Sequence, residues 1–224
     1  SFIMNKSSER KLTVADFEEG NEYSKEIFFK YFYCYLALPF LKAFFKTSWT
    51  PLQITNLSIL LGIFAAVFFF LADFKYLVLG VVFLNLSLIL DKVDGQIARM
   101  RNITHPVGGW IDATSDIFLI GLYFLVLSIG NYYQSQNTVS LIIGIFCLFH
   151  TLMAFYVMES KKNIKGTKNQ KELSIGNNYF GLVNGIHIYL TIGCLLDQVY
   201  WTLLMYSWVG IFTWVIPVIR IIKK

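Results

Sequence analysis

Four aspartates, Asp91, Asp94, Asp112 and Asp116, are the residues of this 224-residue sequence best placed to do chemistry. On a helix, Asp91 and Asp94 stand three residues apart on one face, and Gly95 and Ala98 extend that face. After a short break, Gly108, Asp112 and Asp116 recur at four-residue intervals and form a second stripe. Oxygen-only ligands suit hard ions such as Mg²⁺, Mn²⁺ or Ca²⁺, not zinc. Four carboxylates are enough to hold two divalent cations, an arrangement suited to phosphoryl chemistry. An EF-hand is excluded because the alternating D-x-D-x-D-G loop is absent. The small residues on the carboxylate face read either as close helix packing or as a ligand slot, and beside four aspartates the slot is the better reading. Arg99 follows at the water boundary, where its planar fork suits a phosphate or anchors the helix at the interface.

These carboxylates gain meaning from the elements that must carry them. The chain is 56% hydrophobic and 15% charged, with 21 phenylalanines, whereas a soluble domain carries about 25% charged residues. That balance argues against a water-exposed globule, a disordered chain or a nucleic-acid partner, despite the formal net charge of +5. Apolar runs at 53–72, 76–97, 109–130, 139–158, 179–196 and 200–222 are each long enough to cross a hydrocarbon core of about 30 Å. The expectation is an all-α integral membrane protein with six transmembrane helices. Asp73–Lys75, Arg101–Pro106, Asn131–Asn137 and Asp197–Val199 read as breaks, and 159–178 as one longer, lysine-rich loop. A carboxylate inside the bilayer costs at least about 2.5–3.5 kcal/mol and marks a functional site. Four of them need protons, an aqueous cavity or metal ions.

Charge distribution sets the expected orientation. With the amino terminus in the cytoplasm, the inner segments hold 17 of the 19 lysines and arginines, a strong positive-inside bias. Both termini and the aspartate site then face the cytoplasm. Ser1-Phe2-Ile3 before Met4 reads as a fusion remnant, and 1–25 as an exposed lead-in with no secretory signal. Residues 26–46 are aromatic-rich, with Lys30, Lys42 and Lys46 and with Pro39 as a breaker. They are expected to form an interfacial amphipathic helix on the cytoplasmic face, and residues 26–224 one membrane domain. A seventh span is the competing reading, but it would place the basic amino-terminal segment outside. Cys34, Cys147 and Cys194 have no metal or redox spacing and read as apolar packers.

Residues 91–116 run D-K-V-D-G-Q-I-A-R, eight residues, then G-G-W-I-D-A-T-S-D. This segment resembles the CDP-alcohol phosphotransferase family, whose signature is D-x2-D-G-x2-A-R-x8-G-x3-D-x3-D. All eight signature positions match: Asp91, Asp94, Gly95, Ala98, Arg99, Gly108, Asp112 and Asp116. Thr50-Pro51-Leu52-Gln53-Ile54-Thr55 is similar to the T-P-N-x-I-T opening of the first span in many members, with Leu52 in place of the usual Asn. The resemblance implies cleavage of the pyrophosphate of a CDP-linked alcohol, transfer of the phospho-alcohol group to an acceptor hydroxyl and release of CMP. It implies that Asp91, Asp94, Asp112 and Asp116 bind two divalent cations, Mg²⁺ or Mn²⁺, and that Asp116 is also the general base. Gly95, Ala98, Arg99, Gly108 and Thr55 would shape the CDP site, and the protein would be a homodimer.

The favoured donor is CDP-diacylglycerol and the acceptor a small polar alcohol. The runner-up passes a head group from a CDP-linked polar alcohol to diacylglycerol or another lipid. A cation transporter or channel is the alternative from another class, but it gives no reason for the matched glycines, alanine and arginine. A phosphorylated acceptor would need a second cationic pocket. Lys161, Lys162, Lys165 and Arg220 are its candidates, and all four also read as membrane-edge anchors in contact with anionic lipid. His187 reads as a hydrogen-bonded packing residue, and His105 and His150 have no evident partner.

Overall fold

The protein is described here by a computed structural model over residues 32–104, 106–162, 174–175, 178–179 and 182–222. Its first helix, α1 (Cys34–Phe45), buries Cys34, Ala37 and Leu41 on one side and leaves Tyr35, Leu36 and Lys42 uncovered on the other. The breaker expected at Pro39 is absent, since the helix runs through it. Pro39 stands on the uncovered side, so the carbonyl that loses its N–H partner one turn back is not sealed in the core. Residues 26–31 of the expected interfacial helix lie outside the described residues.

A capping box starts α2 (Pro51–Leu71) ahead of its apolar run. The Thr50 hydroxyl accepts from the Gln53 N–H at 3.3 Å, and the Gln53 side chain accepts from the Thr50 N–H at 2.9 Å. Pro51 fills the first helical position, where no N–H is needed. Ala72, in the left-handed region at φ 52°, ends α2, and the Asp73 carboxylate accepts from the Lys75 N–H to open α3 (Phe74–Met100). Helix α4 (Pro106–Ser135) and helix α5 (Val139–Lys162) follow. A two-residue antiparallel ladder, β1 (Ser174–Ile175) with β2 (Asn178–Tyr179), precedes α6 (Leu182–Leu195) and α7 (Val199–Ile222).

Five of these helices, α2, α3, α4, α5 and α7, are long and apolar enough to cross a membrane, as a multi-pass protein requires. Over the expected fifth span, 179–196, the described helix α6 has 14 residues, about 21 Å. The break expected from Asn131 is displaced, because α4 continues to Ser135. Asn131 donates to the Ser140 hydroxyl at 2.8 Å and Ser135 donates to the Asn131 carbonyl at 2.7 Å, so these polar side chains are satisfied without ending the helix.

Helix α2 packs along α3 and also against α4, while α5 packs against both α4 and α7. Helix α6 bridges α3 and α7, and α1 lies on α3. The core is apolar and aromatic, with Phe124 and Tyr206 stacked at 4.4 Å between ring centroids. Cys147 and Cys194 are buried in it, and Cys34 is buried in a second apolar cluster where α1 meets α3, as expected of packing residues. Polar ties fix α3 in register: Tyr33 donates to Asn85 at 3.3 Å, Asn85 to Thr191 at 3.0 Å, and Ser87 to the Ser58 carbonyl at 2.7 Å. At the other end of α3, the Arg101 guanidinium donates to the Thr47 carbonyl at 2.8 Å and to that of Phe44 at 3.3 Å. The last carbonyls of α1 lack helical partners, so this cation clamps α1 and its following strap to the end of α3.

Candidate active site

The two aspartate-bearing helices barely touch. Among the described residues α3 and α4 make almost no direct backbone contact, and α2 packs against both. The stripes meet instead through side chains across a gap, where Asp91 engages Asp112. A cavity of about 530 Å³ fills that gap, within the range of small-molecule sites. Asp91, Asp94 and Asp112 line it, together with Gly95, Ala98, Arg99, Gly108 and Thr55. Asp116 lies one turn further along α4, behind Asp112, and interacts electrostatically with Asp91.

Each wall follows from its local sequence. Gly108 would offer open space to a Cβ, while a Cβ on Gly95 would stand 3.4 Å from the Arg99 guanidinium. The floor beneath that guanidinium is therefore bare backbone. Gln96, only 2% exposed, accepts from Arg99 Nε at 3.2 Å and from Nη2 at 2.8 Å. One amide oxygen thus fixes the plane of the arginine fork at the cavity edge. On α2, the Thr55 hydroxyl bridges the Pro51 carbonyl at 3.0 Å and the Asp94 carboxylate. Leu52, which replaces the expected Asn, also faces this cavity. On α4, Thr114 and Ser115 bond back to the Trp110 and Asp112 carbonyls at 2.7 and 2.9 Å, leaving the carboxylates to the gap.

Two features were not anticipated from the sequence. Lys92 Nζ lies 2.7 Å from Asp91 Oδ2, with both residues less than a tenth exposed. Consecutive residues on a helix do not face each other, so nothing in the spacing signalled this pair; only the flexible lysine stem makes it. His187 on α6 is buried beside Lys92 and Asp91 and sets its ring edge-on to Tyr123, with Nδ1 2.8 Å from the Val183 carbonyl. It satisfies itself as a packing residue does, yet stands next to the aspartates.

Of the candidate acceptor residues, Arg220 alone has a described side chain. Arg220 is exposed near the end of α7 and absent from the cavity wall. Lys161 and Lys162 close α5, but their side chains, like all of Lys165, lie outside the described residues. Among the described residues no three His, Cys, Asp or Glu side chains converge as a ready-made metal cage. Asp91 turns one oxygen to Lys92, and Asp94 turns one to Thr55. The chemistry of the donor set nevertheless suits hard divalent cations: it is oxygen-only, with Asp94, Asp112 and Asp116 each within electrostatic reach of Asp91 and one lysine among them.

Residues 48–219 match the family model described as CDP-alcohol phosphatidyltransferase. The chain is 28% identical over 172 residues to a protein of Archaeoglobus fulgidus named bifunctional IPC transferase and DIPP synthase, a match covering 77% of this chain and 33% of that protein. A protein of the same name from Thermococcus kodakarensis is 30% identical over 110 residues, covering 49% of this chain and 24% of the relative. One from Aquifex aeolicus is 33% identical over 72 residues, covering 32% and 16%. The chain spans a third or less of the length of these curated relatives.

Proposed function

Because this chain belongs to the CDP-alcohol phosphatidyltransferase family, we propose that it transfers the phospho-alcohol group of a CDP-linked alcohol to a second alcohol and releases CMP. One observation carries the reading: seven of the eight signature residues, and Thr55, surround a single cavity between α3 and α4. Asp91, Asp94, Asp112 and Asp116 would hold two divalent cations, Mg²⁺ or Mn²⁺. When bound, these would supply positive charge against the pyrophosphate and the leaving CMP. The bare backbone at Gly95 and Gly108, with the short Ala98, leaves room for the nucleotide. Arg99, oriented by Gln96, would grip a pyrophosphate oxygen. Asp116 would take the proton of the acceptor hydroxyl as its oxygen bonds to the donor's distal phosphorus. The bond from that phosphorus to the oxygen of the CMP phosphate breaks in the same exchange.

The favoured substrates are CDP-diacylglycerol and a small polar alcohol. The relatives carry the names IPC transferase and DIPP synthase, neither of which names a phosphatidyl product. That keeps a second reading, in which the donor is a CDP-linked polar alcohol and the acceptor a lipid or another alcohol. In either case residues 26–224 would form one membrane domain, α6 would be the fifth of its six spans, and the charge bias would put the cavity on the cytoplasmic side. Exposed aromatic residues on α4 and α5, among them Phe118, Phe146 and Phe149, would serve a homodimer.

A panel of CDP-alcohols and acceptors, assayed for CMP with the purified full chain, tests this proposal. CMP release is expected with Mg²⁺ or Mn²⁺ and should fall to background in EDTA. No release from any CDP-alcohol in either metal sinks the enzyme reading and leaves the cation-pathway alternative. Gln96→Leu is expected to raise the donor KM about tenfold, the worth of a hydrogen bond to a charged group, with kcat changed less than about threefold. An unchanged donor KM in Q96L would remove Gln96 as the residue that positions Arg99.

A further inference from the structure

Lys92 is the observation that the metal reading does not absorb. Its position carries no signature residue, yet its ammonium is buried among the four aspartates, interacting electrostatically with each of them and with His187. It holds Asp91 Oδ2 at 2.7 Å and also lines the cavity. Resting on the proposed metal-dependent transfer, we propose that Lys92 is a positioning residue whose built-in positive charge makes divalent-cation binding at the aspartates depend on the CDP-linked donor.

The argument is one of charge and of oxygen atoms. Four ionised carboxylates match two divalent cations charge for charge. With the ammonium inside the same cluster, the filled site carries one positive charge in excess, in surroundings where charge is poorly screened. A metal must also compete with Lys92 for the Asp91 oxygen. Both effects weaken metal binding to the protein alone. The anionic pyrophosphate of the donor reverses the balance, since its oxygens offset the excess and give the ammonium an alternative partner. Metal and donor then bind better together than apart, and by linkage each raises the affinity of the other by the same factor. A nucleotide-free site would stay largely unloaded. The helix geometry allows this, because the four-carbon stem of Lys92 folds back along α3 to reach its neighbour.

The test is Mn²⁺ binding to the purified full chain, read from the spin-resonance signal of free Mn²⁺ and from Mn²⁺-dependent thermal shift, with and without saturating CDP. The parent protein should bind Mn²⁺ at least about tenfold more tightly with CDP present, an effect of the size expected for one unit charge at close range in a partly screened site. K92M and K92Q should bind Mn²⁺ alone about tenfold more tightly than the parent, and the gain from CDP should shrink below about threefold. K92R, which keeps the charge, should behave as the parent does. If K92M does not fold, K92Q retains a hydrogen-bond donor toward Asp91 and carries the comparison. Parent-like Mn²⁺ affinity and parent-like CDP gain in K92Q would overturn the role of Lys92 alone. Absence of Mn²⁺ binding by the parent, with or without CDP, would overturn the metal-dependent reading and this proposal with it.

Discussion

Asp116→Asn is expected to cut the rate of CMP release by about 10²–10⁴-fold, the range in which a positioned general base contributes. The substitution keeps the side-chain volume and one carbonyl oxygen but removes the site that accepts a proton. The surroundings of Asp116 suggest a clean result. It lies behind Asp112, half-buried, near Asp91 and Tyr123, and it does not line the wall that would hold the nucleotide. Removing one of four like charges also lowers their mutual repulsion, so the variant should be at least as thermostable as the parent. Binding of CDP in the presence of Mn²⁺ should persist and fall far less than turnover does, because Asp91, Asp94 and Asp112 remain. A variant that turns over normally would remove Asp116 as the base. One that fails to bind CDP with Mn²⁺ would recast it as chiefly a metal ligand.

How much of this site was legible depends on the range over which each signal acts. The aspartate stripes are local: intervals of three and four residues put side chains on one helix face whatever surrounds them, and Asp91, Asp94 and Asp112 do line one cavity. Long apolar runs were legible for the same reason, but their ends were not. Hydropathy fades where polar residues begin, whereas α4 carries on through Asn131 because its polar side chains bond within or beside the helix. The start of α2 lay in plain view as Thr50-Pro51-x-Gln53, a capping signal rather than an apolar one. Lys92, Gln96 and Arg101 were illegible for a different reason. Each is a long polar side chain whose partner is chosen by packing, and Arg101 reaches carbonyls more than fifty residues away in sequence. A count of basic residues by loop treats Arg99 and Arg101 alike, though one faces the cavity and the other clamps α1.

Two glycines on one helix should respond in opposite ways, and the pair separates folding from chemistry. Gly130 lies where α4 crosses the turn between α2 and α3. A Cβ there would stand 2.4 Å from the Phe70 carbonyl oxygen and 2.8 Å from the Ala72 Cβ. The obstruction is backbone, and Ala72 is itself committed to a left-handed turn, so no side chain can rotate away. Gly130→Val is therefore expected to cost at least about 1–3 kcal/mol, the range for overpacking a tight contact, and to lower the midpoint of thermal unfolding in detergent. Activity should fall in step with the folded fraction, because the same crossing holds α2, α3 and α4 together and so sets the gap between the aspartates. Gly108, at the other end of α4, meets nothing within 4 Å when a Cβ is added, and it lines the cavity. Gly108→Val should leave the unfolding midpoint within about a degree, in keeping with the small cost of substitutions that touch no packed neighbour. By filling the space proposed for the nucleotide, it should raise the donor KM tenfold or more, about the cost of a few lost contacts in a fitted pocket. Equal loss of stability in both variants would show that the open space at Gly108 belongs to packing, and would move the nucleotide away from that end of α4.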